Sequence, residues 1–227
     1  MTGRLDLPRA PRACVFDMDG VLTDTERLML AAMEEAARRV GRDMPFAVFQ
    51  SMVGAPREHN HLVLIEHFGP DFDVDAWVAE VDARVQPQLR GAAPLKPGVR
   101  DFIDFLKARG LPLAIATSAG EGAVHRQLSA TGLLPAFSAV VVRGDYERGK
   151  PNPDPFLLAA ERLGVAPQDC LALEDSYNGV RAAAAAGMMT IMIPDLLVPT
   201  PEIAALALAV VDGLPRLQAL LEPLAPP

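Results

Sequence analysis

Lysine is scarce in this chain of 227 residues, which contains only Lys96, Lys107 and Lys150. Most of its 21 basic residues are therefore arginine, and the 29 acidic residues leave a formal net charge of −8. A field of this sign disfavours general binding to nucleic acid or to an anionic membrane surface. A phosphorylated ligand would consequently need a local positive group in order to bind.

Cysteine is rarer still, and the chain contains only Cys14 and Cys170. Their spacing is not that of a metal-binding motif. Both lie in apolar runs, which predicts buried free thiols in a reducing compartment. No apolar run has the length of a membrane span, and the first twelve residues lack the apolar segment of a signal peptide. We expect a cytoplasmic protein, a monomer or weak homodimer, without nucleic-acid or membrane partners.

The most informative stretch is a short apolar run at residues 13–16 that stops at two carboxylates, Asp17 and Asp19. The run predicts a buried strand, and Gly20 allows the backbone to approach a ligand closely. Carboxylates directly after a buried strand are costly unless they are paired, and a divalent cation commonly pairs them. One aspartate could then act as a nucleophile and the other as a general acid and base.

Two other interpretations of this loop were weighed. An EF-hand calcium loop also begins with Asp-x-Asp, but Leu22 and Leu28 occupy the positions that need Gly and Glu. An isolated Asp-x-Asp is also compatible with a solvated turn, so the loop alone does not establish a site.

The hydrophobic pattern divides the chain unevenly. Residues 24–93 show helical spacing without a clear strand, whereas residues 94–227 alternate between apolar runs and amphipathic helices. This alternation predicts an α/β, Rossmann-like fold with a parallel sheet and helices on both faces. We therefore expect an α/β core of residues 1–23 and 94–227, with a helical cap of residues 24–93 inserted beside the Asp loop as a lid.

The same pattern predicts the individual elements. We expect a loose arm over residues 1–12, a return linker over residues 86–97 and a frayed Pro-rich terminus. Strands are predicted over residues 13–16, 111–116, 139–142, 170–173, 190–193 and 210–211. Helices are predicted over residues 26–40, 57–68, 75–85, 99–109, 120–131, 154–163, 177–186 and 214–221.

Polar residues follow other predicted strands as well. Thr117 and Ser118 follow the second strand, Glu174 and Asp175 follow the fourth, and Lys150 lies in a loop between them. Because the carboxyl ends of parallel strands meet at one edge, we expect these residues to converge on the Asp loop. Hydroxyl and N–H groups can hold phosphate oxygens, a lysine offsets negative charge, and carboxylates complete a Mg²⁺ site.

Taken singly, each of these residues also fits a simpler role. Thr117 and Ser118 could cap the helix that follows them, as could Glu174 and Asp175. Lys150 could be an ordinary solvated loop lysine. Their joint occurrence at successive strand ends favours the site.

Four segments together resemble the motifs of the haloacid dehalogenase-like hydrolases. They are Phe-Asp-Met-Asp-Gly-Val at 16–21, Ala-Thr-Ser at 116–118, Gly-Lys-Pro-Asn-Pro-Asp at 149–154 and Leu-Glu-Asp-Ser at 173–176. The helical insertion is similar to the small cap of the branch that holds β-phosphoglucomutase and related sugar-phosphate phosphatases. The run Asp-Thr-Glu-Arg-Leu at 24–28 is similar to sugar-phosphate and pseudouridine-phosphate phosphatases.

This resemblance implies a role for each matching residue. Asp17 would be the nucleophile that becomes phosphorylated, and Asp19 the general acid and base. Thr117, Ser118 and Lys150 would hold the transferring phosphoryl group. Mg²⁺ would be bound by Asp17, the backbone carbonyl of Asp19, Asp175 and, directly or through water, Glu174.

The resemblance also assigns part of the cap to the substrate. Gly54 and Arg57 match a cap loop that faces the substrate in this branch, although Arg57 also fits a surface arginine at a helix start. We expect the substrate to be set by Glu26, Arg27, Met29, Arg57 and Asn60.

Single residues discriminate among the chemistries of the family. Asp19 argues against dehalogenation, which does not need a second aspartate there. Residues 24–93 contain no lysine, which argues against Schiff-base cleavage of phosphonates. Met29 stands where the mutase branch has a cap histidine, and the cap histidines His59, His61 and His67 are expected to be ordinary surface or core residues.

The preferred function is therefore hydrolysis of a small phosphorylated metabolite, of the sugar-phosphate or nucleoside-phosphate type. It would be Mg²⁺-dependent and would pass through an aspartyl-phosphate intermediate. A β-phosphoglucomutase-like phosphomutase and a phosphate-binding module without turnover stay open.

Overall fold

One sheet of six parallel strands forms the base of the molecule. The computed structural model describes residues 5–89 and 93–222. The strands are β1 Ala13–Phe16, β2 Leu113–Ala116, β3 Ala139–Val141, β4 Cys170–Glu174, β5 Met189–Met192 and β6 Ala209–Val210. They lie in the order β3-β2-β1-β4-β5-β6, and every neighbouring pair is parallel. The strand that precedes the Asp loop therefore lies between the strands that carry two of the other motifs.

The insertion that follows β1 is helical. Its helices are α1 Glu26–Arg39, α2 Phe46–Met52, α3 Arg57–Phe68 and α4 Val74–Gln88. They enclose a hydrophobic cluster of their own, in which the Trp77 ring lies 5.6 Å from the Phe68 ring, centroid to centroid. The chain leaves and re-enters the core on two adjacent segments, where Asp24 N donates to Pro94 O (2.8 Å) and Lys96 N donates to Leu22 O (3.0 Å).

The remaining helices cover the two faces of the sheet. They are α5 Val99–Ala108, α6 Glu121–Leu128, α7 Asp154–Leu163, α8 Tyr177–Ala185, α9 Pro201–Leu206 and α10 Leu214–Leu221. Phe16 packs edge-on against Phe102 of α5, with 6.1 Å between ring centroids, on one face. Val15 and Phe156 of α7 pack on the other face, because successive strand side chains point to opposite sides.

The α/β fold with a parallel sheet and helices is confirmed, and every predicted strand is present with ends shifted by at most two residues. The return linker was predicted to begin too early, because α4 continues through Pro87 to Gln88. Pro87 has no N–H to donate to the carbonyl four residues before it, so this turn lacks one intrahelical hydrogen bond. The buried side chains of Val85 and Leu89 anchor this last turn in the cluster of the insertion.

The expectation of a loose N-terminal arm is wrong for the described residues 5–12. Leu5 is buried in the core, Arg9 forms an ion pair with Asp169 (3.1 Å), and Arg12 N donates to Asp169 O (2.8 Å). Residues 1–4 of the predicted arm, residues 90–92 of the linker and the predicted frayed terminus at 223–227 lie outside the described residues.

The structure bears on two expectations, one about the cysteines and one about membrane-spanning helices. Cys14 and Cys170 are free and buried, as predicted, and burial raises the pKa of both thiols. None of the helices in residues 5–89 and 93–222 combines the length and hydropathy that a membrane span requires. The cytoplasmic location and the monomeric or weakly dimeric state stay predictions.

Candidate active site

The parallel strands gather the motif residues at one edge of the sheet. Asp17 directly follows β1, Thr117 directly follows β2, and Glu174 ends β4. Asp17 N continues the ladder by donating to Leu173 O (2.9 Å), which fixes the backbone of this aspartate beside β4. The expected convergence of these strand ends is therefore present.

Lys150 is buried among carboxylates, with 1% of its surface exposed. Its Nζ forms ion pairs with Asp17 and with Glu174 Oε1, the latter at 2.5 Å, and lies 5.0 Å from the centroid of the Phe156 ring. Burial lowers the pKa of Lys150, but Asp17 and Glu174 outweigh this effect, so the net shift is upward. The alternative of a solvated loop lysine is excluded.

Three buried carboxylates form a compact acidic cluster. Asp17, Glu174 and Asp175 each offer an oxygen within 4.8 Å of the others, and Asp175 Oδ2 has no hydrogen-bond partner in the described part of the chain. Burial is the main reason that the pKa of Asp17 rises to about 8 and that the pKa of Asp175 also rises. Hard oxygen donors with one unpaired atom fit a divalent cation such as Mg²⁺.

Gly20 allows this cluster to be compact. It has φ +85°, and a Cβ at this position would collide with the Asp175 carboxylate. The sequence predicted that the backbone at Gly20 approaches a ligand closely. In the structure the group that it approaches is the Asp175 carboxylate.

Glu174 contacts both Lys150 and the start of α8. Its Oε1 meets Lys150, while Oε2 accepts from Asp175 N and Ser176 N (3.1 Å each) and from Ser176 Oγ (3.0 Å). The second oxygen thus organises the start of α8, where Ser176 is the N-cap. A Cβ at Gly179 would collide with Glu174, so this small residue permits the arrangement.

Asp19 is held by two side-chain donors. Its Oδ1 accepts from Thr25 Oγ1 (2.5 Å) and from Gln127 Nε2 (3.1 Å), and burial raises the pKa of the carboxyl. Gln127 Oε1 in turn accepts from Thr23 Oγ1 (3.1 Å). An aspartate fixed in this way, with a raised pKa, can carry a proton to a leaving group.

Sequence reasoning missed Gln127 and Thr25. One signal was available, because Gln127 lies among the apolar positions of α6 beside Leu128, where a solvated glutamine would not be expected. A polar residue on the buried stripe of an amphipathic helix needs a partner, and here that partner is the second aspartate of the Asp loop.

Thr117 and Ser118 lie in the loop before α6, and neither is its N-cap, which is Gly120. Thr117 Oγ1 accepts from Ala119 N (3.0 Å), and the Tyr146 hydroxyl donates to Thr117 O (3.0 Å). Thr117 and Ser118 line the same cavity as Asp17, which has a volume of about 410 Å³. Both hydroxyls are thus placed beside the acidic cluster.

The two cap residues predicted to face the substrate occupy different surroundings. Gly54 has φ +67°, and a Cβ there would collide with the Ser176 side chain, so this glycine lets the insertion approach the core. Arg57 lines the cavity at an exposed position and forms an ion pair with Asp75 (3.3 Å). His59 is exposed and lies outside the cavity lining, and His67 Nε2 lies 2.9 Å from Asp43 O, as expected for ordinary histidines. His61 is also exposed but lines the cavity.

Comparison with known proteins agrees with this geometry. A family model described as haloacid dehalogenase-like hydrolase matches residues 11–187. A Drosophila melanogaster protein named "Probable pseudouridine-5'-phosphatase" is 37% identical over 188 residues, which cover 80% of this chain and 81% of that protein. A Thermotoga maritima protein named "Phosphorylated carbohydrates phosphatase" is 31% identical over 176 residues, which cover 78% of this chain and 82% of that protein.

A solved structure superimposes on most of the chain. The crystal structure of β-phosphoglucomutase from Clostridium difficile superimposes with a TM-score of 0.74 at 25% sequence identity. The match covers 90% of this chain and 92% of that one.

Proposed function

The chain belongs to the haloacid dehalogenase-like hydrolase family, and from this premise we propose that it is a phosphatase for small phosphomonoesters of the sugar-phosphate or nucleoside-phosphate type. The observation that carries the proposal is the buried contact of Lys150 with Asp17, a residue that lines one cavity together with Asp19. A nucleophile, a fixed cation and an acid are thereby brought to one place. The two relatives named as phosphatases support the same reaction class.

The proposed reaction has two steps. A carboxylate oxygen of Asp17 attacks phosphorus, the bond from phosphorus to the leaving oxygen breaks, and Asp19 donates its proton to that oxygen. In the second step Asp19 takes a proton from water, and the resulting hydroxide attacks the phosphorus of the aspartyl-phosphate. The bond to Asp17 breaks, phosphate is released, and both aspartates return to their initial states.

The surrounding residues position and neutralise the phosphoryl group. Lys150 offers a permanent positive charge, and Thr117 and Ser118 offer hydroxyl groups at the cavity wall. Mg²⁺ would be held by Asp17, the backbone carbonyl of Asp19, Glu174 and Asp175, and would offset the negative charge of the phosphoryl oxygens. The unpartnered Asp175 Oδ2 supports this assignment.

The insertion of residues 24–93 would act as a cap that closes over this site, with residues 1–23 and 94–227 as the catalytic core. Gly54 supports the idea, since its backbone meets Ser176 of the core. Arg57 would face the substrate from the cavity mouth. Its present partner Asp75 is itself exposed, so a phosphorylated or hydroxylated ligand could compete for the guanidinium.

Hydrolysis is preferred to phosphoryl transfer because of the residues that line the cavity. Met29 lines it at the position where the mutase branch has a histidine, and a thioether cannot carry a proton. The test is phosphate release from a panel of phosphomonoesters, with β-glucose 1-phosphate included. Formation of glucose 6-phosphate in place of free phosphate would favour the phosphomutase, and binding without any turnover would favour the binding module.

Removal of divalent cations is expected to lower phosphate release by about a hundredfold or more, and added Mg²⁺ is expected to restore it. The reason is that three buried carboxylates share the site with one ammonium group, so a phosphate dianion would meet uncompensated negative charge. The measurement is phosphate release after dialysis against EDTA, with circular dichroism as a check on the fold. Full turnover without metal would contradict the assignment.

Replacement of Gln127 by leucine is expected to reduce kcat by about tenfold with a smaller change in KM. Asp19 would lose one of its two donors, and a hydrogen bond to a charged group contributes about 1.5–3 kcal/mol. The matched control is Gln168→Leu at an exposed position. Equal rates for Gln127→Leu and the wild type would show that Thr25 alone holds Asp19.

A further inference from the structure

Three buried polar atoms of the insertion have no hydrogen-bond partner among the described residues. They are Glu26 Oε2, Asn60 Oδ1 and Trp77 Nε1. An unpaired buried polar atom costs about 1–3 kcal/mol, so native proteins rarely retain one without a reason. All three residues line the cavity above Asp17, which places a donor and two oxygen atoms around the space that a substrate would fill.

Apart from Thr25, whose hydroxyl donates to Asp19, the other buried side chains of the insertion that line the cavity are apolar. Met29, Met33, Met52, Val81 and Val85 line it and are buried or half-buried. The charged residues of α3 and α4 that line the cavity are exposed, so they lie at the cavity mouth. The interior therefore offers a few separated polar atoms on a hydrophobic surface.

A polyol leaving group fits this wall poorly. Each buried sugar hydroxyl needs a hydrogen-bond partner, and methionine and valine side chains supply none of useful strength. A flat ring fits better, since its faces can pack against methionine and tryptophan while its edge presents a few polar atoms. A ring N–H could donate to Asn60 Oδ1, and a ring oxygen or nitrogen could accept from Trp77 Nε1.

We propose that the substrate is a phosphomonoester whose leaving alcohol carries a heteroaromatic ring, bound against the methionine and valine wall with its edge at Asn60 and Trp77. This inference rests on the proposed phosphatase function and narrows its substrate class. The cavity volume of about 410 Å³ lies in the range of small-molecule sites.

The first experiment compares uridine 5′-phosphate and adenosine 5′-phosphate with ribose 5-phosphate. These substrates share the phosphorylated pentose and differ in the ring. We expect kcat/KM for at least one nucleotide to exceed that for ribose 5-phosphate by about tenfold, which corresponds to one or two well-formed contacts. Equal or faster hydrolysis of ribose 5-phosphate would overturn the inference and leave the phosphatase proposal in place.

Two variants test the assigned contacts. Trp77→Phe removes the N–H and keeps an aromatic ring, and Asn60→Leu removes the amide at nearly constant volume. Each is expected to lower kcat/KM for the preferred nucleotide by about three- to tenfold more than it lowers kcat/KM for ribose 5-phosphate. His59→Leu, at the exposed neighbouring position of α3, is the matched control.

The two variants carry different risks of lost stability. Trp77 also packs against Phe68, whereas Asn60 is only half-buried. Loss of stability in Trp77→Phe therefore leaves Asn60→Leu as a separate test. If both variants kept the full nucleotide preference, or slowed all substrates equally, the assigned contacts would be wrong.

Binding can also be followed without turnover. Trp77 is the single tryptophan of the chain and lines the cavity, so all tryptophan fluorescence comes from a cavity residue. In Asp17→Asn with Mg²⁺, we expect saturable quenching by the preferred nucleotide at concentrations where ribose 5-phosphate has no effect. Quenching by both to the same extent would overturn the inference, whereas phosphate release from no phosphomonoester by the wild type would overturn the phosphatase proposal itself.

Discussion

Asp17→Asn is expected to reduce phosphate release by at least about a thousandfold, because removal of a covalent nucleophile eliminates the first chemical step. The amide of asparagine cannot form the acyl phosphate, although it occupies the same volume. Asp17 Oδ1 contacts Lys150 directly, so the substitution also changes the charge at the point where phosphorus would arrive. Both effects are expected to lower the rate of phosphate release.

The fold is expected to survive this substitution. Lys150 retains its contact with Glu174 (2.5 Å), so no buried ammonium is left without a partner. Burial raises the pKa of Asp17, so its surroundings disfavour the charged form more than water does. A neutral side chain at this position should therefore change the melting temperature by only a few degrees, within the range of ordinary single substitutions.

The measurement is single-turnover phosphate release together with thermal unfolding of the same preparation. Asp104→Asn on the exposed face of α5 is the matched control and should retain full activity. Turnover near the wild-type rate in Asp17→Asn would remove this residue from the nucleophile role. Inactivity together with unfolding would instead indicate a structural role for the carboxylate.

The sequence predicted the core site because its residues are local to strand ends. Asp17, Thr117 and Glu174 each follow or end a short apolar run, and parallel strands bring such ends together whatever the side chains between them. The order of strands was not needed for that conclusion. It requires only that the three strands share one sheet.

The contacts that orient Asp19 and bury Lys150 were harder to predict from the sequence. Gln127 and Asp19 are 108 positions apart, and their contact depends on how α6 lies beside the segment that leads into the insertion. The burial of Lys150 depends on two carboxylates from different strands. Such long-range pairs are fixed by tertiary packing, on which hydrophobic periodicity carries no information.

Two short helices were absent from the prediction based on hydrophobic periodicity, for a related reason. α2 has seven residues and α9 has six, so neither is long enough to show a periodic apolar face. Thr200 and Pro201 do form a helix start, in which Thr200 Oγ1 accepts from Ile203 N (3.3 Å). That capping pattern was a usable signal, since threonine followed by proline is typical of the first turn of a helix.

Lys150→Met is the second substitution with a large expected effect, about a hundredfold or more in phosphate release. The methionine keeps an unbranched stem beside Phe156 and removes the charge, so the loss reports electrostatic stabilisation of the transferring phosphoryl group. Lys107→Met at an exposed position of α5 is the matched control. A loss smaller than about threefold would remove Lys150 from the site.

The same variant is expected to be less stable, and the size of that loss should depend on metal. Breaking a buried ion pair costs about 3–5 kcal/mol when one charge is left without compensation, and here Asp17 and Glu174 would both lose their ammonium partner. A divalent cation bound by Asp17, Glu174 and Asp175 would supply part of the missing positive charge. The free energy of unfolding from urea titrations should therefore fall more in EDTA than in Mg²⁺. An equal fall under both conditions would mean that the three carboxylates do not bind the cation together, because a metal held there has to compensate for the absent lysine.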